Sequence, residues 1–182
     1  MERYRIQSEA AVYFVTYSIV EWLPVFVSDP ACRIITDSLC FCHQQKGLRT
    51  NAYVIMPTHL HAIVFDKDFD PQRLRGSLAD FRKFTGRSLS DFCTQYLPTC
   101  FAGVLREAST ADRSRRFWQP SRHPEAIMTE TFWQQKLDYL HSNPCRKGLV
   151  RMADHWRFSS AAYYLSEGRL KCDVPISVLN WS

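Results

Sequence analysis

The sequence predicts an α+β fold, an antiparallel sheet with helices packed mainly on one face. Three observations predict it. Residues 10–20 and 48–65 are rich in β-branched and aromatic side chains, as strands are. Residues 28–47, 70–97 and 129–143 repeat apolar positions at helical spacing behind capping residues. A strand–helix–strand start that runs into an antiparallel hairpin places those helices against one sheet.

Each element follows in order. "AAVYFVTYSIV" alternates in part and reads as the first strand. In "SDPACRIITDSLCFCHQQKG", Ser28 or Asp29 caps, Pro30 suits a first helical turn, and Gly47 stops the run. "LRTNAYVIMP" and "THLHAIVF" are two strands joined by a tight turn at Pro57-Thr58. Asp70 caps and Pro71 opens a helix to about Phe84, and Thr85-Gly86 reads as a break before a second helix. Residues 106–127 form a long polar and basic connection with room for one further strand. Thr129 caps a helix that Pro144 ends after Asn143, and a loop with a short helical turn follows.

With 182 residues, 46% of them hydrophobic, the chain can bury a core, which excludes intrinsic disorder. No boundary, repeat or low-complexity stretch divides it, so a single domain over residues 1–182 is expected. No apolar run reaches membrane-spanning length, and the charged N-terminus has no compact leader-like apolar stretch. Seven cysteines, odd in number and scattered, read as reduced thiols of a cytoplasmic protein. "CFCH" at residues 40–43 lacks a second pair at zinc-binding spacing and reads as core and flank. The net charge of +5 is compatible with nucleic acid without requiring it.

Candidate chemistry begins at "VIMPTHLHAIVF". His59 and His61 lie two apart on a strand, hence on one face about 7 Å apart, and their imidazoles can converge on one divalent ion. The pair alone equally fits two core or surface histidines. In "FWQQKLDYLHSNP", Lys136, Tyr139 and Asn143 share one helix face, while Trp133, Leu137 and Leu140 lie on another that can seat the helix on the sheet. This helix alone also fits a partly buried tyrosine and an asparagine that merely closes the last turn.

Together, "VIMPTHLHAIV", "FWQP", "KLDYLHSNPCRKGLV" and "WRFSSA" resemble the REP-associated tyrosine transposases. These are single-tyrosine HUH enzymes, named for two histidines around an apolar residue, here Leu60. The likeness runs from about residue 10 to residue 164, with the four motifs in the family's order. It implies a ferredoxin-like, palm-type sheet in an HUH transposase-like domain. It implies His59, His61 and the side-chain oxygen of Asn143 as ligands of Mg²⁺ or Mn²⁺, and Tyr139 as nucleophile. The implied activity is cleavage of single-stranded DNA at imperfect palindromic hairpins through a 5′-phosphotyrosine and a free 3′-hydroxyl, which then rejoins strands. The implied setting is a DNA-associated bacterial protein of the cytoplasm, a monomer or a homodimer. Phenols, with pKa about 10, are poor nucleophiles at neutral pH, so a metal-polarised phosphate suits the chemistry.

Arg73, Arg75, Arg82, Lys83 and Arg87 are candidates to track DNA phosphates, as is Lys136 beside the tyrosine. They equally fit the solvated faces of helices. Arg115 and Arg116, in "RSRRFW", mix charge with aromatic surface as single-strand binders do. Two other readings stand beside the transposase. One is a zinc hydrolase that uses only the histidine pair, and the other is a non-cleaving binder of DNA hairpins.

Overall fold

The computed structural model describes residues 11–107, 117–120 and 124–181. Four strands, β1 (Val12–Ser18), β2 (Leu48–Met56), β3 (His59–Asp66) and β4 (Glu125–Ile127), form one sheet in the order β2-β3-β1-β4. Every neighbouring pair is antiparallel. Helix α1 (Asp29–Gln45) carries the chain from β1 past β3 to β2. Helices α2 (Pro71–Tyr96) and α3 (Thr99–Glu107) carry it from β3 past β1 to β4. Two such crossovers with a hairpin between them are the ferredoxin-like arrangement. Then come α4 (Glu130–Arg146) and the short α5 (Ala161–Leu165).

The sheet separates two apolar layers. Tyr13, Val15, Tyr17, Tyr53, Ile55, Leu60, Ala62 and Val64 point to α1, α2 and α3, the thicker layer. Val12, Phe14, Ala52, Val54, Met56, Ile63 and Phe65 point the other way, where Leu137 and Leu140 of α4 cover them. With both faces covered, the strands bury nearly every residue, so "VIMPTHLHAIVF" reads as an almost continuous apolar run rather than an alternating one. His59 and His61 share the parity of Ile63 and Phe65 and so face the α4 side.

Helix α2 corrects one expectation, for it runs unbroken through Thr85 and Gly86. Thr85 Oγ1 donates to Phe81 O at 2.7 Å and accepts from Trp118 Nε1 at 3.1 Å, inside the core. A Cβ on Gly86 would stand 3.1 Å from Trp118 Cδ1, so this glycine admits a ring rather than ending a helix. Helix α4 corrects another. Thr129 caps it as expected, accepting from Phe132 N, but the helix passes Pro144 and ends at Arg146. Pro144 loses the bond to Leu140 O, and the turn is closed beyond it by Lys147 N on Asn143 O and Leu149 N on Pro144 O.

The outer edge of β2 is not left open. Phe158 O accepts from Ile55 N, Ser160 N donates to Tyr53 O, and Ser177 N donates to Thr50 O. Asn51 Nδ2 donates to Ser177 O and Asn51 Oδ1 accepts from Trp133 Nε1, tying this C-terminal stretch to α4. Among the described residues, no helix is long and apolar enough to cross a membrane.

Candidate active site

The site lies where the β2–β3 hairpin meets α4. The hairpin tip is held by its own carbonyls, since Thr58 O accepts from Ile19 N and Pro57 O from Phe26 N, both at 3.0 Å. His59 is the first residue of β3 beyond this turn, and His61 is paired directly with Thr16 of β1. The two rings stand 4.6 Å apart, edge to face. Each Nδ1 meets a threonine hydroxyl, Thr58 Oγ1 at 2.9 Å for His59 and Thr16 Oγ1 at 2.8 Å for His61. Phe14, next on that face of β1, stacks on the His61 ring at 5.2 Å. Both rings are therefore fixed through Nδ1; with Nδ1–H donating to the threonine oxygen, each Nε2 keeps its lone pair for a metal.

Burial acts on their charge. It pushes the pKa of His59 down to about 4, helped by the charge of Lys147. It pushes that of His61 down to about 3, helped by His59 and Lys136. Burial also takes His141, whose Nε2 is 2.8 Å from Ser160 Oγ, down to about 4, against the pull of Asp138. All three are neutral at physiological pH, and a histidine must be neutral to bind a metal. In the unfolded chain they take up protons below about pH 6.5, whereas the folded sites resist until far lower. Between about pH 6.5 and 4 the unfolded state thus binds more protons, so stability falls as pH falls. Thermal melts without added metal at pH 7.5, 6 and 5 are expected to show a steady drop in midpoint, reduced in His141→Gln.

Helix α4 crosses the same face. The ring of Tyr139 stands 5.5 Å from that of His61, edge-on, and 6.1 Å from Phe14. It is 39% exposed, so a substrate can reach it. Asn143, one turn further along that face, is buried, and no hydrogen bond engages its carboxamide among the described residues. It lies between Tyr139, beside His61, and Lys147, whose charge bears on His59. Two neutral imidazoles and an amide oxygen suit an oxygen- and nitrogen-binding divalent ion. Among the described residues, no group of three or more His, Cys, Asp or Glu is placed to hold a metal. A set built on two histidines and an asparagine falls outside that count.

The other candidates divide. Lys136 is on the tyrosine face but is committed: its Nζ is 2.8 Å from Glu125 Oε2 and lies over the rings of Phe14 and Phe132 at 4.7 and 5.1 Å. Arg73 forks onto the buried carboxylate of Asp66 and also reaches Asp68, a structural post. Arg82 donates to Gln119 O, which holds the Trp118-Gln119 segment against the end of β1. Arg75 is exposed on α2. Lys83 and Arg87 edge a groove with Phe41 and Phe84 between α1 and α2, on the side of the sheet away from the histidines. Arg115 and Arg116 lie outside the described residues. Sequence reasoning missed Thr16, Thr58, Phe14, Arg146 and Lys147. Thr58 was legible as the neighbour of His59, and Arg146 as the position two helical turns beyond Tyr139.

No protein-family model matches the chain. Over 139 residues it is 21% identical to the REP-associated tyrosine transposase of Escherichia coli K12, spanning 76% of this chain and 70% of that protein. A solved structure of the REP-associated tyrosine transposase bound to a REP hairpin superposes with a TM-score of 0.66 at 18% identity, covering 100% of this chain and 96% of that one. The chain thus has the α+β fold of that transposase, a four-stranded antiparallel sheet with its crossover helices on one face, together with a weak likeness in sequence.

Proposed function

We propose that this chain acts, as one domain, as a metal-dependent tyrosine transposase that cuts and rejoins single-stranded DNA beside hairpins. The observation that carries the reading is the exposed Tyr139 ring set edge-on to His61, 5.5 Å away, on the fold it shares with a hairpin-bound REP-associated tyrosine transposase. His59 and His61 would hold Mg²⁺ or Mn²⁺ through Nε2, and Asn143 would complete the set through its side-chain oxygen. Such an ion, when bound, polarises the phosphate and neutralises charge that builds on its oxygens.

The chain's own residues do the rest. Thr58 and Thr16 hold the imidazoles so that neither ring turns away from the substrate. Leu137 and Leu140 seat α4, and Trp133 Nε1 is anchored on Asn51, which fixes the line along which the phenol approaches. Tyr139 Oη bonds phosphorus as the bond from phosphorus to the 3′ oxygen breaks. The phenolic proton ends on the freed oxygen, leaving a 5′-phosphotyrosine and a 3′-hydroxyl. A 3′-hydroxyl attacks in reverse and restores the phenol. The covalent link preserves the phosphodiester's energy, so rejoining needs no nucleotide cofactor.

The test uses one hairpin-bearing strand labelled at either end, incubated with protein and Mn²⁺ and run on a denaturing gel. The expected result is a protein-linked band from the 3′-labelled strand and a shorter free band from the 5′-labelled one, both lost with EDTA. Cutting without a linked band would replace this reading with a hydrolase built on the histidine pair. Hairpin binding with neither band would make the chain a non-cleaving binder.

A further inference from the structure

We propose that Arg146, the last residue of α4, grips the scissile phosphate beside Tyr139. This rests on the transposase reading above. The guanidinium carbon stands 5.6 Å from the centre of the Tyr139 ring. Arg146 is exposed, and among the described residues no carboxylate pairs with it. The contrast with Lys136 is direct. That lysine occupies the other end of the same helix face, and Glu125 and two rings hold it. Of these two cations beside the nucleophile, the arginine is the one left available.

Its chemistry fits the substrate. A guanidinium offers five N–H donors in a rigid fork that matches two oxygens of one phosphate. From its place over the phenol ring, the fork would present those donors to a phosphate brought to the oxygen that attacks. As phosphorus passes from the 3′ oxygen to Tyr139 Oη, charge on the two non-bridging oxygens finds those donors already in place. The plain alternative is that Arg146 only complements the negative end of the helix dipole, a duty any cation at this position performs.

Single-turnover adduct formation by the full chain, with Mn²⁺ and a labelled hairpin strand, separates the two. Arg146→Ala is expected to slow the adduct about 100-fold, the scale for loss of one transition-state donor, with hairpin affinity weakened far less, by the loss of one phosphate contact among several. Arg146→Lys keeps the charge at the helix end and should preserve the melting temperature while still slowing the adduct about 10-fold. On a strand with a neutral methylphosphonate at the cut, the penalty of Arg146→Ala should shrink to under about threefold, because the charged oxygen pair is gone. An unchanged rate in Arg146→Ala, or an equal penalty on the methylphosphonate, overturns the proposal while the wild-type adduct still upholds the transposase reading. A wild type that forms no adduct overturns both.

Discussion

Tyr139→Phe is expected to abolish the protein–DNA adduct outright while leaving hairpin binding in place. The change deletes one oxygen from a ring that is 39% exposed and whose surroundings are Phe14, His61 and Arg146. Stability should therefore shift by no more than about 0.5 kcal/mol. Four of the other described tyrosines are poorly suited to substitute. Burial pushes the phenols of Tyr17, Tyr53 and Tyr164 far above the ordinary tyrosine value, and Tyr96 is exposed on α2, behind the sheet. Denaturing gels check the adduct and native gel shifts check binding. An adduct that survives in the phenylalanine variant would mean that the nucleophile lies elsewhere.

Arg73→Ala should do the opposite, costing stability and sparing DNA. Asp66 at the end of β3 is 1% exposed, and its carboxylate takes Arg73 Nε at 2.6 Å together with Arg73 Nη2 and the backbone N–H of Asp68 and Asp70. Removing the guanidinium leaves a buried negative charge with two amides. Breaking the pair leaves that carboxylate without its countercharge and lowers stability, an effect tempered by solvent because Arg73 is itself 38% exposed. Urea unfolding at constant slope would measure it. The salt dependence of hairpin binding should not change, whereas an arginine on a phosphate would lower that slope by about one unit when removed.

These two residues also mark what sequence reading reaches. The face that Tyr139 shares with Asn143 was legible because four-residue spacing on a helix fixes it, and the face that His59 shares with His61 because two-residue spacing does so on a strand. Local chemistry also told the hairpin, Thr129 as cap and Asp70 with Pro71 as helix start. What escaped depends on partners distant in the chain. Arg73 looked like a DNA contact because nothing nearby in sequence requires that Asp66 be buried. Gly86 looked like a break because the ring it admits belongs to Trp118, thirty-two residues later. Thr16 meets His61 only through strand register, forty-five positions apart. Pro144 misled for another reason: a proline removes one bond, and a helix in its last turn can spare it.

The C-terminal stretch along β2 bears on how this chain fares while it is being made. Residues 158–177 follow the whole sheet in the chain, yet they satisfy the backbone groups of Thr50, Tyr53 and Ile55. Without them, the hairpin that holds His59 and His61 offers an apolar edge strand with unpaired amides, a template for any neighbouring chain. A nascent or prematurely terminated copy could assemble most of the sheet and would then be drawn into aggregates. The stretch is in this sense a quality gate, since only a chain that carries it closes that edge.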